Sequence, residues 1–165
     1  MTDAETVIAW PEGHRPEVSE FHAVNELQIA ARREDVFEWL RRPDLWPTYY
    51  ANARLVRNLD GAWPRIELGS RWRWLTFGAL LTSELVEFEP PGRLAWSASA
   101  PGSRGHHGWV LEARGGGTFV RTEETQKGLG IKVLKPVLRP LMVRFHQRWL
   151  EGLAGAAAGG PPPEP

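Results

Sequence analysis

The sequence predicts an α+β fold: a curved, antiparallel seven-stranded sheet wrapped around one long C-terminal helix, with two short helices after the first strand. Three observations carry this reading. An alternating run at 22–29 is followed by two short helical segments, 32–42 and 44–50. Strand-like sequence, punctuated by Gly and Pro, then fills the chain as far as Lys127. One long amphipathic segment, 130–153, closes it. A sheet that grips a helix in this order encloses a cavity, so the first functional question is what fills it.

Each element has a local cause. Residues 1–20 lack periodicity, contain Pro11, Gly13 and Pro16, and read as a surface arm pinned by Trp10. Val36, Phe37, Trp39 and Leu40 give 32–42 an apolar face, and Pro43 ends that helix. Asp44 is placed to cap the next short helix, whose buried side is Leu45, Trp46, Tyr49 and Tyr50. Strands are expected at 54–59, 70–76, 80–88, 93–100, 107–114 and 118–127. Asp60-Gly61, Gly78, Pro90-Pro91-Gly92, Pro101-Gly102 and Gly115-Gly116-Gly117 supply the turns between them. In the last segment Ile131, Leu134, Leu138, Leu141, Met142, Phe145, Trp149 and Leu153 recur at helical spacing, opposite Lys132, Lys135, Arg139, Arg144 and Arg148. Pro136 and Pro140 predict a break at 136–140 over the cavity mouth. The domain therefore spans 21–154. The Ala/Gly- and Pro-rich tail, 155–165, is expected to be disordered.

Composition narrows the function classes. The chain has 165 residues, 42% hydrophobic and 24% charged, with zero formal net charge. That balance fits one soluble domain and offers no global attraction for nucleic acid. Cysteine is absent, which excludes disulfides and thiolate metal sites. No apolar segment approaches the roughly 20 residues that span a bilayer, so integral membrane association is not expected. A signal peptide is not expected either, and the default location is the cytoplasm. Nine tryptophans are the compositional anomaly. Most can be core filler, but on a cavity-forming fold several should line the pocket.

Strand alternation sorts side chains onto two faces. Arg71 and Arg73 belong outside, so Trp72 and Trp74 point in. Val86 and Phe88 read as core, and period two then carries Thr82 and Glu84 inward. The next rows are Leu94, Trp96 and Ala98, then His107, Trp109 and Leu111, then Val120, Thr122 and Glu124, with Asn25 inward on the first strand. Trp46, Tyr49 and Tyr50, with Met142, Phe145 and Trp149 of the last helix, complete the expected ligand-binding wall. A single bulge would invert the assignments beyond it. Glu84 and Glu124 are the catalytic candidates, because a carboxylate deprived of water can serve as general acid or base. His106 and His107 are adjacent on a strand and face opposite sides, so no metal site is expected. His146 and His22 read as structural, and no cofactor motif is present.

The words Ile29-Ala-Ala-Arg-Arg-Glu-Asp-Val-Phe-Glu-Trp39, Asp44-Leu-Trp-Pro47, Leu68-Gly-Ser70, Glu87-Phe-Glu-Pro-Pro-Gly-Arg-Leu-Ala-Trp96, Gly116-Gly-Thr118 and Glu123-Glu-Thr125 carry a resemblance. In this order the sequence resembles the START/Bet v 1-like (SRPBCC) superfamily, within it the polyketide cyclase/dehydrase and lipid-transport group, over residues 22–154. The resemblance implies a helix-grip fold and a hydrophobic, aromatic, polycyclic or lipid small-molecule ligand. It also implies, as alternatives, a cyclase/aromatase-like enzyme or a protein-interaction module with a filled cavity. In the resembling cyclases an inward Arg and a Tyr promote enolisation and dehydration. Tyr49 and Tyr50 lie near the Tyr place here, Tyr50 being the catalytic candidate, and Glu84 stands where the Arg would be.

Overall fold

Alternation and turn chemistry place the strands close to their predicted positions. In the computed structural model, which describes residues 8–165, β1 (Phe21–Ile29) leads into α1 (Arg33–Leu40) and α2 (Trp46–Tyr49). Six strands follow: β2 (Arg54–Asp60), β3 (Arg71–Thr76), β4 (Ala79–Glu89), β5 (Arg93–Ala100), β6 (Ser103–Arg114) and β7 (Gly117–Lys127). The chain then enters α3 (Leu129–Ala157). The seven strands form one antiparallel sheet in the order β1-β7-β6-β5-β4-β3-β2.

α3 lies across the sheet and packs against β1, α1 and α2. Buried Asn25 of β1 fixes its height by donating from Nδ2 to Val143 O (3.0 Å) and Gln147 Oε1 (3.1 Å). Gly152 fixes the approach to α2, since a Cβ there would overlap the Tyr49 carbonyl oxygen. Between helix and sheet lies the core, whose largest members are Trp46, Trp72, Trp96, Trp109 and Trp149.

Two expectations are corrected. α3 runs unbroken through Pro136 and Pro140. The carbonyls those prolines leave without a helical partner belong to Lys132 and Pro136, both exposed, so water can take the missing bonds. Asp44 makes no capping bond. It receives a two-pronged ion pair from Arg42, with Nε at 2.8 Å and Nη2 at 2.7 Å. The tail, 155–165, lies against the domain: half-buried Trp39 donates from Nε1 to Gly160 O and buried Arg42 from Nη1 to Pro163 O, each at 2.8 Å. Arg65 pairs with Glu164 at 2.9 Å.

Residues 8–20 of the N-terminal arm cover the outer face of β1, β7 and β6, and residues 1–7 lie outside the described part. Trp10 packs on His22 and His106, with ring centroids 5.6 and 5.5 Å away. Thr125 Oγ1 donates to His14 O (2.8 Å) and Lys127 Nζ to Gly13 O (2.6 Å).

Candidate functional site

Between α3 and the concave face of the sheet lies a cavity of about 180 Å³. Its walls are mainly apolar: Trp74, Leu81, Trp96 and Ala98 from the sheet, and Ile131, Leu134, Leu138, Met142 and Trp149 from α3. Phe77, Pro101 and Gly102, from the β3–β4 and β5–β6 turns, border it as well. The polar part of the wall is concentrated in Tyr50, Thr76, Ser103, His107, Glu124, Gln126 and His146.

The predicted site residues divide into three groups. Trp74, Trp96, His107, Met142, Trp149, Glu124 and Tyr50 line the cavity. Trp46, Trp72, Trp109 and Thr122 are buried behind that wall, where the indoles pack on one another; Trp46 lies 5.2 Å from Trp96 and 5.0 Å from Trp149. Tyr49 and Phe145 are also off the wall. The Tyr49 hydroxyl donates to Trp39 O at 3.2 Å, and Phe145 stands edge-on to Phe77 at 5.7 Å.

Glu84 and Thr82 are misplaced by the sequence reading. Glu84 faces outward, its side chain 50% exposed and 3.9 Å from Arg71. Thr82 shares that outer face, opposite Arg73. The cause is a bulge: Leu85 pairs with Trp96 and Glu87 with Ala95, so Val86 is an extra residue in β4. Phe88 does pack on the core, but counting back from it by twos crosses the bulge and inverts the phase. Ser83 and Leu85 are the inward residues, and Ser83 Oγ receives the Trp74 indole N–H at 3.1 Å.

The polar corner centres on Glu124. Its Oε2 lies 3.1 Å from His107 Nδ1 and 3.1 Å from His146 Nε2, and its Oε1 accepts a short hydrogen bond from Gln126 Nε2. Gln126 Oε1 in turn accepts from Ser103 Oγ at 3.0 Å. Gln126 can lie in this position because residue 105 is Gly; a Cβ there would overlap its amide nitrogen. The two imidazoles stack with centroids 4.7 Å apart. Burial, helped by the nearby His146 and His106, holds His107 well below the usual imidazole range, so its ring is neutral. Tyr50 stacks on Trp149 (4.3 Å, 8° between planes). Its hydroxyl accepts from Asn52 Nδ2 at 3.0 Å, and burial pushes the phenol up, keeping it protonated. Trp149 Nε1 and His146 Nδ1 are buried with no hydrogen-bond partner among the described residues. A ligand's polar atoms could satisfy such groups.

His106 and His107 do face opposite sides of β6. The combination that sequence adjacency hides is His107 with His146, brought together from β6 and α3 with Glu124 of β7. One signal was available: His146 falls four residues after Met142 and three before Trp149, on the buried stripe of the helix.

A seven-stranded sheet gripping a long helix over a lined cavity defines a helix-grip, Bet v 1-like protein. The family described as polyketide cyclase / dehydrase and lipid transport matches residues 20–158, and the chain belongs to it. Among solved structures, the hypothetical protein jhp0584 of Helicobacter pylori is similar, with 28% identity and a TM-score of 0.83 over 90% of this chain and 95% of its own. Major latex-like protein 151 of Panax ginseng shares the fold at 15% identity and a TM-score of 0.65, over 81% of this chain and 95% of its own. So does DynU16, a protein in the dynemicin biosynthetic locus, at 18% identity and a TM-score of 0.62, over 86% of this chain and 48% of its own. No curated protein matches in sequence. Among the described residues no helix is long and apolar enough to cross a membrane.

Proposed function

We propose that the protein binds a small aromatic molecule carrying one polar substituent, with the ring against Trp74, Trp96 and Trp149 and the substituent at Glu124 and its two histidines. The observation that carries this reading is the cavity itself, apolar on most sides with its polar groups gathered in one corner. Its size bears on the ligand. A cavity of about 180 Å³ is close to the roughly 150 Å³ that holds benzene, so one ring or two small fused rings fit. A fused polycycle or an acyl chain would need the first half of α3 to move outward. The family's description, which couples a cyclase or dehydrase with lipid transport, supports an apolar small-molecule ligand.

A second reading, acid–base catalysis on the bound molecule, is favoured by one specific observation. A protonated phenol on Tyr50 and the carboxyl of Glu124 both line the same small chamber. One would donate a proton and the other would accept one.

Titration of tryptophan fluorescence with phenol, naphthol and indole, followed by native mass spectrometry, tests binding. Saturable quenching by one equivalent is expected. Ala98→Leu, which projects extra methyl groups into the cavity, should abolish it. Quenching that survives Ala98→Leu, or none with any of the probes, would overturn the proposal.

A further inference from the structure

Glu124 is the carboxylate of the cavity wall, and no Lys or Arg pairs with it among the described residues. A buried carboxyl group in a folded protein is hydrogen-bonded, paired with a counter-charge or bound to a metal. The neighbours of this one are two imidazoles and an amide.

The hydrogen-bond network admits the His107 tautomer that a metal ligand requires. The Thr122 hydroxyl reaches both Gly108 O (3.2 Å) and His107 Nε2 (2.7 Å); when it donates to Gly108 O it can accept the Nε2 proton. In that tautomer Nδ1 presents its lone pair towards Glu124 Oε2, 3.1 Å away. A lone pair and a carboxylate oxygen so placed can share a cation. We propose that His107 Nδ1, Glu124 Oε2 and His146 Nε2 form a binding site for a divalent first-row transition-metal ion of the Zn²⁺ class, open towards the cavity.

The geometry suits that ion. The three donor atoms lie within 4.8 Å of one another, and each imidazole nitrogen is 3.1 Å from the carboxylate oxygen. Two donors each about 2.1 Å from a shared ion and 3.1 Å from one another subtend about 95° at it. For these two pairs, opening to tetrahedral angles requires a movement of about 0.3 Å, and the two imidazole nitrogens, which lie within 4.8 Å of one another, must close to about 3.4 Å. Two imidazoles with one carboxylate are a donor set for Zn²⁺ or Fe²⁺ that leaves coordination positions free. Outer partners orient two of the ligands: Thr122 holds the far nitrogen of His107, and Gln126 holds Glu124 Oε1. The free positions would face the aromatic ligand, whose oxygen or nitrogen, or a water, would complete the shell. Because the ligands come from β6, β7 and α3, the ion would also tie the helix to the sheet.

The test uses the full chain, stripped with a chelator and titrated with Zn²⁺ against a chromophoric competitor. Co²⁺ serves separately as a spectroscopic probe. One equivalent of Zn²⁺, a visible d–d absorption for Co²⁺ and a raised melting temperature with excess Zn²⁺ are expected. Glu124→Gln and His146→Gln should each weaken binding at least 100-fold, whereas His22→Gln, in the imidazole group under the N-terminal arm, should leave it unchanged. No d–d absorption in the wild type, or affinity unaltered by Glu124→Gln, overturns the proposal. The wild-type stoichiometry and spectrum decide the matter even if a variant fails to fold. Fluorescence titration of the stripped protein with the aromatic probes separates failure of the metal site from failure of the cavity reading.

Discussion

Acid should loosen this protein through His106, on the face of the sheet opposite the cavity. Its ring is 1% exposed, roofed by Trp10 and near His14 of the arm, and both nitrogens lack a partner among the described residues. Burial, assisted by the His14 charge, lowers its pKa from 6.5 to about 4. Between those values the unfolded chain holds the proton and the folded chain does not. Stability from this residue is therefore full above pH 6.5 and is lost as pH falls towards 4. Linkage gives a loss of about 2 kcal/mol between pH 7 and 5, and about 3 kcal/mol by pH 4. His14, also lowered by burial, and His107 add to the slope with the same sign, so a difference is required. Urea midpoints at several pH values for the wild type and His106→Leu provide it. The variant should lose about 2 kcal/mol less on going from pH 7 to 5. At pH 7 it should be at least as stable as the wild type, since two unpaired polar atoms are replaced by hydrocarbon. Equal pH dependence in both proteins would refute the argument.

Gly152→Ala should destabilise by about 1–3 kcal/mol, read from the denaturant midpoint, because the new methyl drives α3 away from the Tyr49 carbonyl. Thr122→Val keeps the shape but removes the hydroxyl that holds His107 Nε2, and calorimetry should show a loss of about 1–3 kcal/mol. Glu84→Gln should change stability by less than about 0.5 kcal/mol and leave aromatic-probe binding unaltered, as its side chain lies in solvent beside Arg71. Deleting residues 159–165 strips the acceptors from Trp39 Nε1 and Arg42 Nη1, and a loss of about 2 kcal/mol in chemical denaturation is expected.

The cavity mouth offers a physical reason for the apolar residues left exposed on the first half of α3. Val133 and Val137 are 72% and 70% exposed, while Leu134 and Leu138, on the same stretch, border the chamber. That half of the helix rests on Phe21 and Ala23 of β1 through Ile131, Leu138 and Met142 and otherwise borders the cavity, and its backbone carries two prolines. It is the part of the wall that can yield to a larger ligand at least cost in packing.

Sequence alone determines the order of elements, because alternation and Gly/Pro turns are local properties. It also determines the facing of β3, where Arg71 and Arg73 alternate with Trp72 and Trp74, and the rows of β5, β6 and β7. Tertiary structure decides the rest. The extra residue at Val86 exists only as a mismatch between β4 and β5, so no reading of β4 by itself could turn Glu84 outward. Which indoles line the cavity and which fill the core depends on how deeply each strand curves towards α3. The contacts of the tail with the domain come from donors on Trp39 and Arg42, far from it in sequence. The meeting of His107, Glu124 and His146 has the same origin: three side chains from three elements converge only when the sheet closes on the helix, and local periodicity carries no record of that distance.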